Sequence, residues 1–493
     1  MKFIRFAESM VEKNGEGVVG MITSHGYLDN PTFRGMRWHL RQTFDAIYVL
    51  DLHGNSNKKE LSPDGSEDKN VFDIKTGVAI IFGVKKQSES KGKKPLATVY
   101  RADLYGKRAE KFAALDAATT IEQLDWAQLP ADNNAWYVEG EGKAEYERGF
   151  SVAELFPKNT TGIVTMGDNF IVDQDREALR NRVESLLETE ISEQELKDTY
   201  GLGKNYAKWI IENKKDIDAD PSKIVPLAYR PFDMRYTYFD NKLVWRPRTK
   251  LMQSYFKTKN IGLLLTKAVR DPNYNHAFVT NCISETIFLS GTTATNAMNI
   301  PLYLHMDSGE RIANLDDKIV QTIEDIVGDT APENILDYVY AVLHSPTYRA
   351  KYQEFLKSDF PRVPYPGEES GITKKIFWEL VSHGRHLREL HLLTHPSIRE
   401  SITSFPESGS DAVEKPEYRD GCVYINSTQY WAGVPREVWE FYIGGYQPDQ
   451  KYLKDRKGRQ LTSDEFENYE LMVVSLNETI KVMEEIDIVW TVK

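Results

Sequence analysis

The chain has 493 residues, 41% of them hydrophobic, with 62 basic against 74 acidic side chains and a formal net charge of −12. That length and apolar content allow two to four globular domains and exclude a disordered or fibrous protein. The sequence has no apolar run of transmembrane length and no secretory leader, and its two cysteines, Cys282 and Cys422, have no metal-ligand spacing. Membrane, disulfide-rich and zinc-finger classes therefore fall away, and a cytoplasmic protein is expected.

Taken in chain order, Ile4, Ala7, Met10 and Val11 recur at helical spacing until Gly15, and residues 18–23 read as an apolar strand. Residues 33–44 predict a second helix feeding a strand over 46–54. Past a polar loop, residues 77–84 predict a third strand. This α/β layering starts in mid-fold. Basic residues then crowd together (Lys85, Lys86, Lys91, Lys93, Lys94, Arg101, Lys107, Arg108 and Lys111) around a polar QSESKGKKP core, which reads as an exposed linker loop. Residues 1–115 form the first expected domain, and residues 116–150, rich in Asp, Asn, Ala and Glu, a connector. Residues 151–310 mix helical patterns with short strands near 226–239 and 261–265. From 332 to 393 the periodicity is helical, with Ile335, Tyr338, Val339 and Val342 on one face, so 311–400 reads as scaffold. The α+β part at 401–493 closes on a helix opened by Thr462 or Ser463, with Glu465 or Glu467 as capping partners. No internal repeat is found.

A net charge of −12 argues against a DNA partner, but the distribution matters more than the total. From 242 to 270 the chain carries Lys242, Arg246, Arg248, Lys250, Lys257, Lys259, Lys267 and Arg270 without one acidic residue, where about four acids are expected at this composition. Aromatics interleave with this strip: Tyr229, Phe232, Tyr236, Tyr238, Phe239, Trp245, Tyr255 and Phe256. A solvated positive face over core aromatics is the alternative reading. Arg456, Lys457 and Arg459 make a smaller basic group, either a DNA contact or a solvated loop. Two metal readings fail on spacing. His383, His386 and His391 do not share one helix face. Asp64, Asp73 and Lys75 mimic an acid-acid-lysine nuclease site but sit in a hydrophilic loop.

The words GVVGMITSHGYLDNPTFRGMR, FDAIYVLDLHGNSNKKE and NVFDIKTGVAIIFGVKK resemble the adenine-specific DNA methyltransferase module of Type ISP restriction-modification enzymes. FPKNTTGIVTMGDNF, YRPFDMRYTYFD, LVWRPRTKLM, ILDYVYAVLHSPTYRAKYQEFLKSDFPRVPYP, LRELHLL and IGGYQPDQKYLKDRKGRQL resemble the C-terminal specificity region of the same enzymes. The resemblance implies a partial Rossmann-like methyltransferase sheet, then a mixed α+β target-recognition region at 151–310, then a helical C-terminal scaffold. It implies double-stranded DNA as partner, with Arg235, Lys242, Arg246, Arg248, Lys250, Lys257, Lys259, Lys267 and Arg270 facing it and Arg235, Arg246 and Arg248 foremost.

The same resemblance marks what is missing. The family's glycine-rich S-adenosylmethionine loop and its Asn/Asp-Pro-Pro-Tyr/Phe tetrapeptide are not in the sequence. Asp271-Pro272-Asn273-Tyr274 lacks the second proline and reads as a surface turn. S-adenosylmethionine is thus expected in the complete enzyme but not on this chain alone, and no catalytic residue is assigned. In a completed fold Phe72 would stack on a flipped adenine, with packing inside its own loop as the alternative. Ser24 and Tyr27, at the carboxyl end of the first strand, would form the pocket rim, and Asn55 and Lys58 would meet phosphate. The expected function is the DNA-reading portion, with a partial catalytic domain, of an adenine-N6 methyltransferase. The alternatives are one subunit of a split methyltransferase, with a separate polypeptide carrying the N-terminal half, and a truncated DNA-binding remnant.

Overall fold

A computed structural model describes the chain apart from residues 1, 29–32, 57–59, 61, 88–94, 130–141, 257–258, 270, 272, 292–295, 306–307 and 492–493. Contacts divide it into two units, 1–141 and 142–493. The division falls inside the stretch expected to connect. Helix α3 (Arg108–Ala117) and strand β5 (Ala127–Gln128) belong to the first unit.

In the first unit the elements run α1 (Lys2–Asn14), β1 (Gly17–Ser24), α2 (Arg34–Thr43), β2 (Ala46–Asp51), β3 (Val78–Lys85), β4 (Thr98–Asp103), α3 and β5. The sheet order is β1-β3-β2-β4-β5. Strand β3 runs antiparallel between β1 and β2, β2 and β4 are parallel neighbours, and β5 is antiparallel to β4. The sheet is therefore mixed. Ile4 and Val11 of α1 and Leu40 of α2 bury against Ile47, Val49, Ala79 and Ile81, while Leu115 of α3 packs on the cluster of Leu50, Leu52, Val78 and Ala102. Strand β1 is an edge among the described residues. It alternates half-buried with exposed positions and leaves Val18 and Ile22 in solvent, and α1 leaves Phe3, Phe6 and Met10 exposed at helical spacing.

The second unit holds two four-stranded sheets and a helical core. One sheet is built on the hairpin Ile224–Arg230/Asp233–Tyr238, flanked by Ile283–Ser284 and Val172–Asp173. Helices Arg176–Glu188, Glu193–Tyr200 and Lys204–Asn213 supply its core with Leu179, Val183, Leu196 and Ile210. The other sheet centres on Gly262–Thr266, buried along its whole length between Ala277–Thr280 and Ala297–Pro301. The largest core joins Phe150, Leu263, Leu336, Leu380 and Ile486, so the stretches expected as separate domains share one interior. Helix Pro332–His344 lies against Lys374–His391 closely enough that a Cβ on Gly384 would come 1.8 Å from the Asp337 carbonyl oxygen. The final helix, Ser463–Val489, is capped by Thr462 and Glu465 as its sequence predicts. Among the described residues no helix is long and apolar enough to cross a membrane.

Candidate functional site

The basic strip follows the hairpin strand Asp233–Tyr238. Its Trp245 ring packs edge-on against Trp209, 5.3 Å between centroids, and anchors the loop to helix Lys204–Asn213. Arg246 then exchanges two backbone hydrogen bonds with Val164, at 3.0 and 3.1 Å. Pro247 follows, and Arg248 takes a left-handed backbone (φ 55°, ψ 34°) at the start of the short helix Thr249–Met252. A bridge, a proline and a helix start leave this Arg-Pro-Arg knuckle little freedom. Arg246, Lys250, Lys259 and Lys267 are exposed, while Lys242 and Arg248 are half-buried. Arg246, Arg248, Lys250 and Lys259 have no carboxylate within ion-pair distance among the described residues, and Lys267 lies 3.9 Å from Asp359. Lys242 reaches Asn213 Oδ1 at 3.4 Å. Lys257 and Arg270 lie outside the described residues.

Arg235 is differently placed. Its guanidinium donates to Asp233 at 2.7 and 3.2 Å and lies 3.8 Å over the Tyr229 ring. Asp233 also accepts from Arg456 at 2.9 Å, and Arg456 in turn donates to Glu465 at 2.9 Å. Burial would raise the Asp233 carboxyl, but the charges of Arg456 and Arg235 outweigh it and hold the group below the usual range. Arg456 is therefore a buried structural cation rather than a surface contact, Arg459 also binds Glu465, and Lys457 is exposed. Nearby, Arg230 donates to Glu285 at 3.0 Å, and burial pushes Glu285 up to about 7 despite that partner.

In the first unit, polar side chains gather where the parallel strands β2 and β4 end, the place where open α/β sheets put their ligand crevice. Asp51 binds His25 at 3.0 Å and Arg101 at 2.9 Å, and Arg101 binds Asp103 at 2.6 Å. His53, with φ 51°, bonds Asp103 at 2.8 Å and Glu60 at 2.7 Å and stacks on Tyr105 at 3.9 Å. Burial would lower His53, but its hydrogen bonds to Asp103 and Glu60, with the charge of Asp51, raise it to about 9. Ligand atoms of His25, His53 and Glu60, and of Asp51, His53 and Asp103, lie within 4.8 Å of one another. In this structure the three carboxylates are already hydrogen-bonded by His25, His53 and Arg101. The signal in the sequence was the i, i+2 spacing of Arg101 with Asp103, which places the pair on one face at the end of β4.

Beside this network opens a cavity of about 830 Å³, lined by Gly54, Ser56, Asn70, Phe72, Lys75 and Arg108 among others. Phe72 stands 44% exposed at it. Its loop is held by Asn70, which donates to the Gly54 and Thr76 carbonyls and accepts from Phe72 N–H, and by Arg108, which donates to the Asn70 carbonyl and to Asp73. Ser24 is exposed at the end of β1, whereas Tyr27 is fully buried and sits behind the rim rather than on it. Asn55 is buried against His25, and Lys58 lies outside the described residues. Asp64 is exposed and hydrogen-bonded to its own turn, and Asp73 pairs with Arg108, so the two acids form no common site. His391 is buried between Tyr340 and Thr479, away from any metal-like grouping with His383 and His386 among the described residues. Asp271 bonds His276 and Ser290, and Tyr274 is buried, while Pro272 lies outside the described residues.

A family model described as the Type ISP C-terminal specificity domain matches residues 154–485. Among solved structures, a cryo-EM complex of DrdV with DNA aligns with TM-score 0.70 at 20% identity, covering 98% of this chain and 51% of that one. A nuclease-deletion mutant of the Type ISP restriction-modification enzyme LlaGI, in complex with a DNA substrate mimic, aligns with TM-score 0.69 at 19% identity over 98% of this chain and 47% of that one. The ATP-dependent Type ISP restriction-modification enzyme LlaBIII bound to DNA aligns with TM-score 0.71 at 19% identity over 98% and 33%. The chain thus spans about half the length of the first two and a third of the last, and the likeness is one of fold. No curated protein matches.

Proposed function

The chain belongs to the family of Type ISP C-terminal specificity domains, and on that premise we propose that its second unit reads a short duplex DNA sequence for a restriction-modification enzyme. The observation that carries this reading is the Arg-Pro-Arg knuckle and its neighbours. Arg246, Arg248, Lys250 and Lys259 are mounted inside the matched region without carboxylate partners among the described residues, whereas Arg235 and Arg456 are consumed by the fold. Cations that have no internal partner are free to replace the counterions condensed on a duplex. The DNA complexes of DrdV, LlaGI and LlaBIII, which share the fold, support the same partner. A cytoplasmic location belongs to the same proposal.

The first unit is read as part of an adenine-N6 methyltransferase domain. Co-directional strands β1, β2 and β4 and the presented Phe72 ring support this. S-adenosylmethionine does not fit the residues present. The strand ends of β2 and β4 are filled by the interlocked Asp51, His53, Arg101 and Asp103 side chains, and no glycine-rich turn follows them. No transfer step is therefore assigned to this chain. Among the described residues β1 is an open edge, with Val18 and Ile22 exposed on it, and this favours a further segment that completes the sheet.

Fluorescence anisotropy with labelled duplexes across a salt series tests the DNA reading. Binding by the wild-type chain should weaken linearly in log–log form. The R246A/K250A/K259A variant should bind more weakly, with a slope shallower by about one per cation removed. A folded variant with unchanged affinity and slope removes this strip from the interface.

A further inference from the structure

We propose that the two arginines of the knuckle divide the work of recognition, Arg248 reading a base and Arg246 holding a phosphate, an assignment that rests on the DNA reading above. Their mounting differs although only Pro247 separates them. Arg246 has its backbone fixed by Val164 but an exposed side chain with no ion-pair partner among the described residues. A long, free, charged side chain can follow a phosphate on any sequence, which gives affinity without discrimination. Lys250 and Lys259, exposed and lacking a planar fork, belong with it.

Arg248, equally without an ion-pair partner among the described residues, is more enclosed. Its backbone occupies the left-handed region, where an L-residue is strained, and the residue is half-buried. Its Nε is enclosed and finds no hydrogen-bond partner among the described residues, although the residue as a whole stays partly exposed. A strained backbone and an enclosed unpaired donor both oppose folding, and such features persist where a site needs them. What they supply is an arginine whose backbone and Nε are set by the fold, so that its terminal nitrogens have fewer positions to search when DNA arrives. A fixed planar fork matches the paired O6 and N7 acceptors of guanine in the major groove, whereas a phosphate contact needs no such fixing. Arg235, the third candidate, has its fork occupied by Asp233.

Selection from a library of duplexes with a randomised core, followed by sequencing, tests the assignment on the full chain and on its R246A, R248A and R248K variants. The wild-type chain should enrich one motif. R248A and R248K should still bind duplex but lose one guanine position from that motif, with discrimination there reduced roughly 5- to 150-fold. R246A should keep the whole motif and show a salt slope shallower by about one. R248 variants that enrich the wild-type motif, or an R246A variant that loses a base position, overturn the assignment. A wild-type chain that enriches nothing overturns the DNA reading itself, which is a different result. R248G, which accepts the positive φ, should melt at or above the wild-type temperature. If R248G unfolds the chain, Arg248 is a structural residue and the assignment falls.

Discussion

Replacing Asp233 by Ala tests the frame that carries the hairpin beneath the basic strip. Asp233 is 2% exposed and accepts hydrogen bonds from Arg456, also 2% exposed, at 2.9 Å and from Arg235 at 2.7 Å. Removing one partner of a buried pair leaves an uncompensated charge, which typically costs about 3–5 kcal/mol. Arg456 keeps Glu465 at 2.9 Å and the Tyr452 carbonyl at 3.0 Å, so the expected loss lies at the lower end, about 3 kcal/mol. Urea denaturation followed by circular dichroism at pH 7 measures it. The D233A/R456M double variant should recover only part of the loss, because removing Arg456 leaves the buried Glu465 with Arg459 alone. The sign with pH follows from the lowered folded-state pKa of Asp233. Its contribution is complete above the unfolded value of about 3.9 and is lost as pH falls toward the lower folded value. The gap between wild type and D233A should therefore narrow on acidification. A D233A variant as stable as the wild type at pH 7, or a gap that widens in acid, refutes the reasoning.

The helix crossing at Gly384 makes a second prediction. In G384A the new methyl meets the Asp337 backbone oxygen at 1.8 Å, and an overpacking cost of about 1–3 kcal/mol or more should exceed the roughly 1 kcal/mol that Ala gains in helix propensity. Thermal melting should show net destabilisation, and a variant melting at or above wild type contradicts the close packing of these helices. In the first unit His53 is raised to about 9, so the stability it lends is complete below its unfolded value of about 6.5 and is lost as pH rises through 9. Hydrogen exchange in β2 and β4, corrected for its intrinsic rate, should quicken between pH 7 and 9.5 in the wild type and lose that dependence in H53Q. Protection that stays flat in the wild type would remove His53 from the network.

Local pattern carried much of the chain by itself. Helical spacing ended by Gly15 marked α1 (Lys2–Asn14), and strands expected at 18–23 and 77–84 lie within one or two residues of β1 and β3, because amphipathic periodicity and glycine punctuation act over a single element. Thr462 and Glu465 marked the last helix for the same reason. Long family words and the acid-free run at 242–270 pointed to the specificity region and to its cations. Which cations are free was beyond sequence. Arg235 stands two residues from Asp233 on one strand, a pairing the local spacing allows, but Arg456 looks as available as Arg246, and only the fold brings it to Asp233 across more than two hundred residues. The strand pairing that leaves β3 antiparallel between β1 and β2, the burial of Tyr27, and the His53 network likewise depend on partners distant in the chain. Composition and spacing determine what each segment can form and how much charge it holds. Tertiary structure decides which charges neutralise one another, because a side chain's partner is set by distance in space.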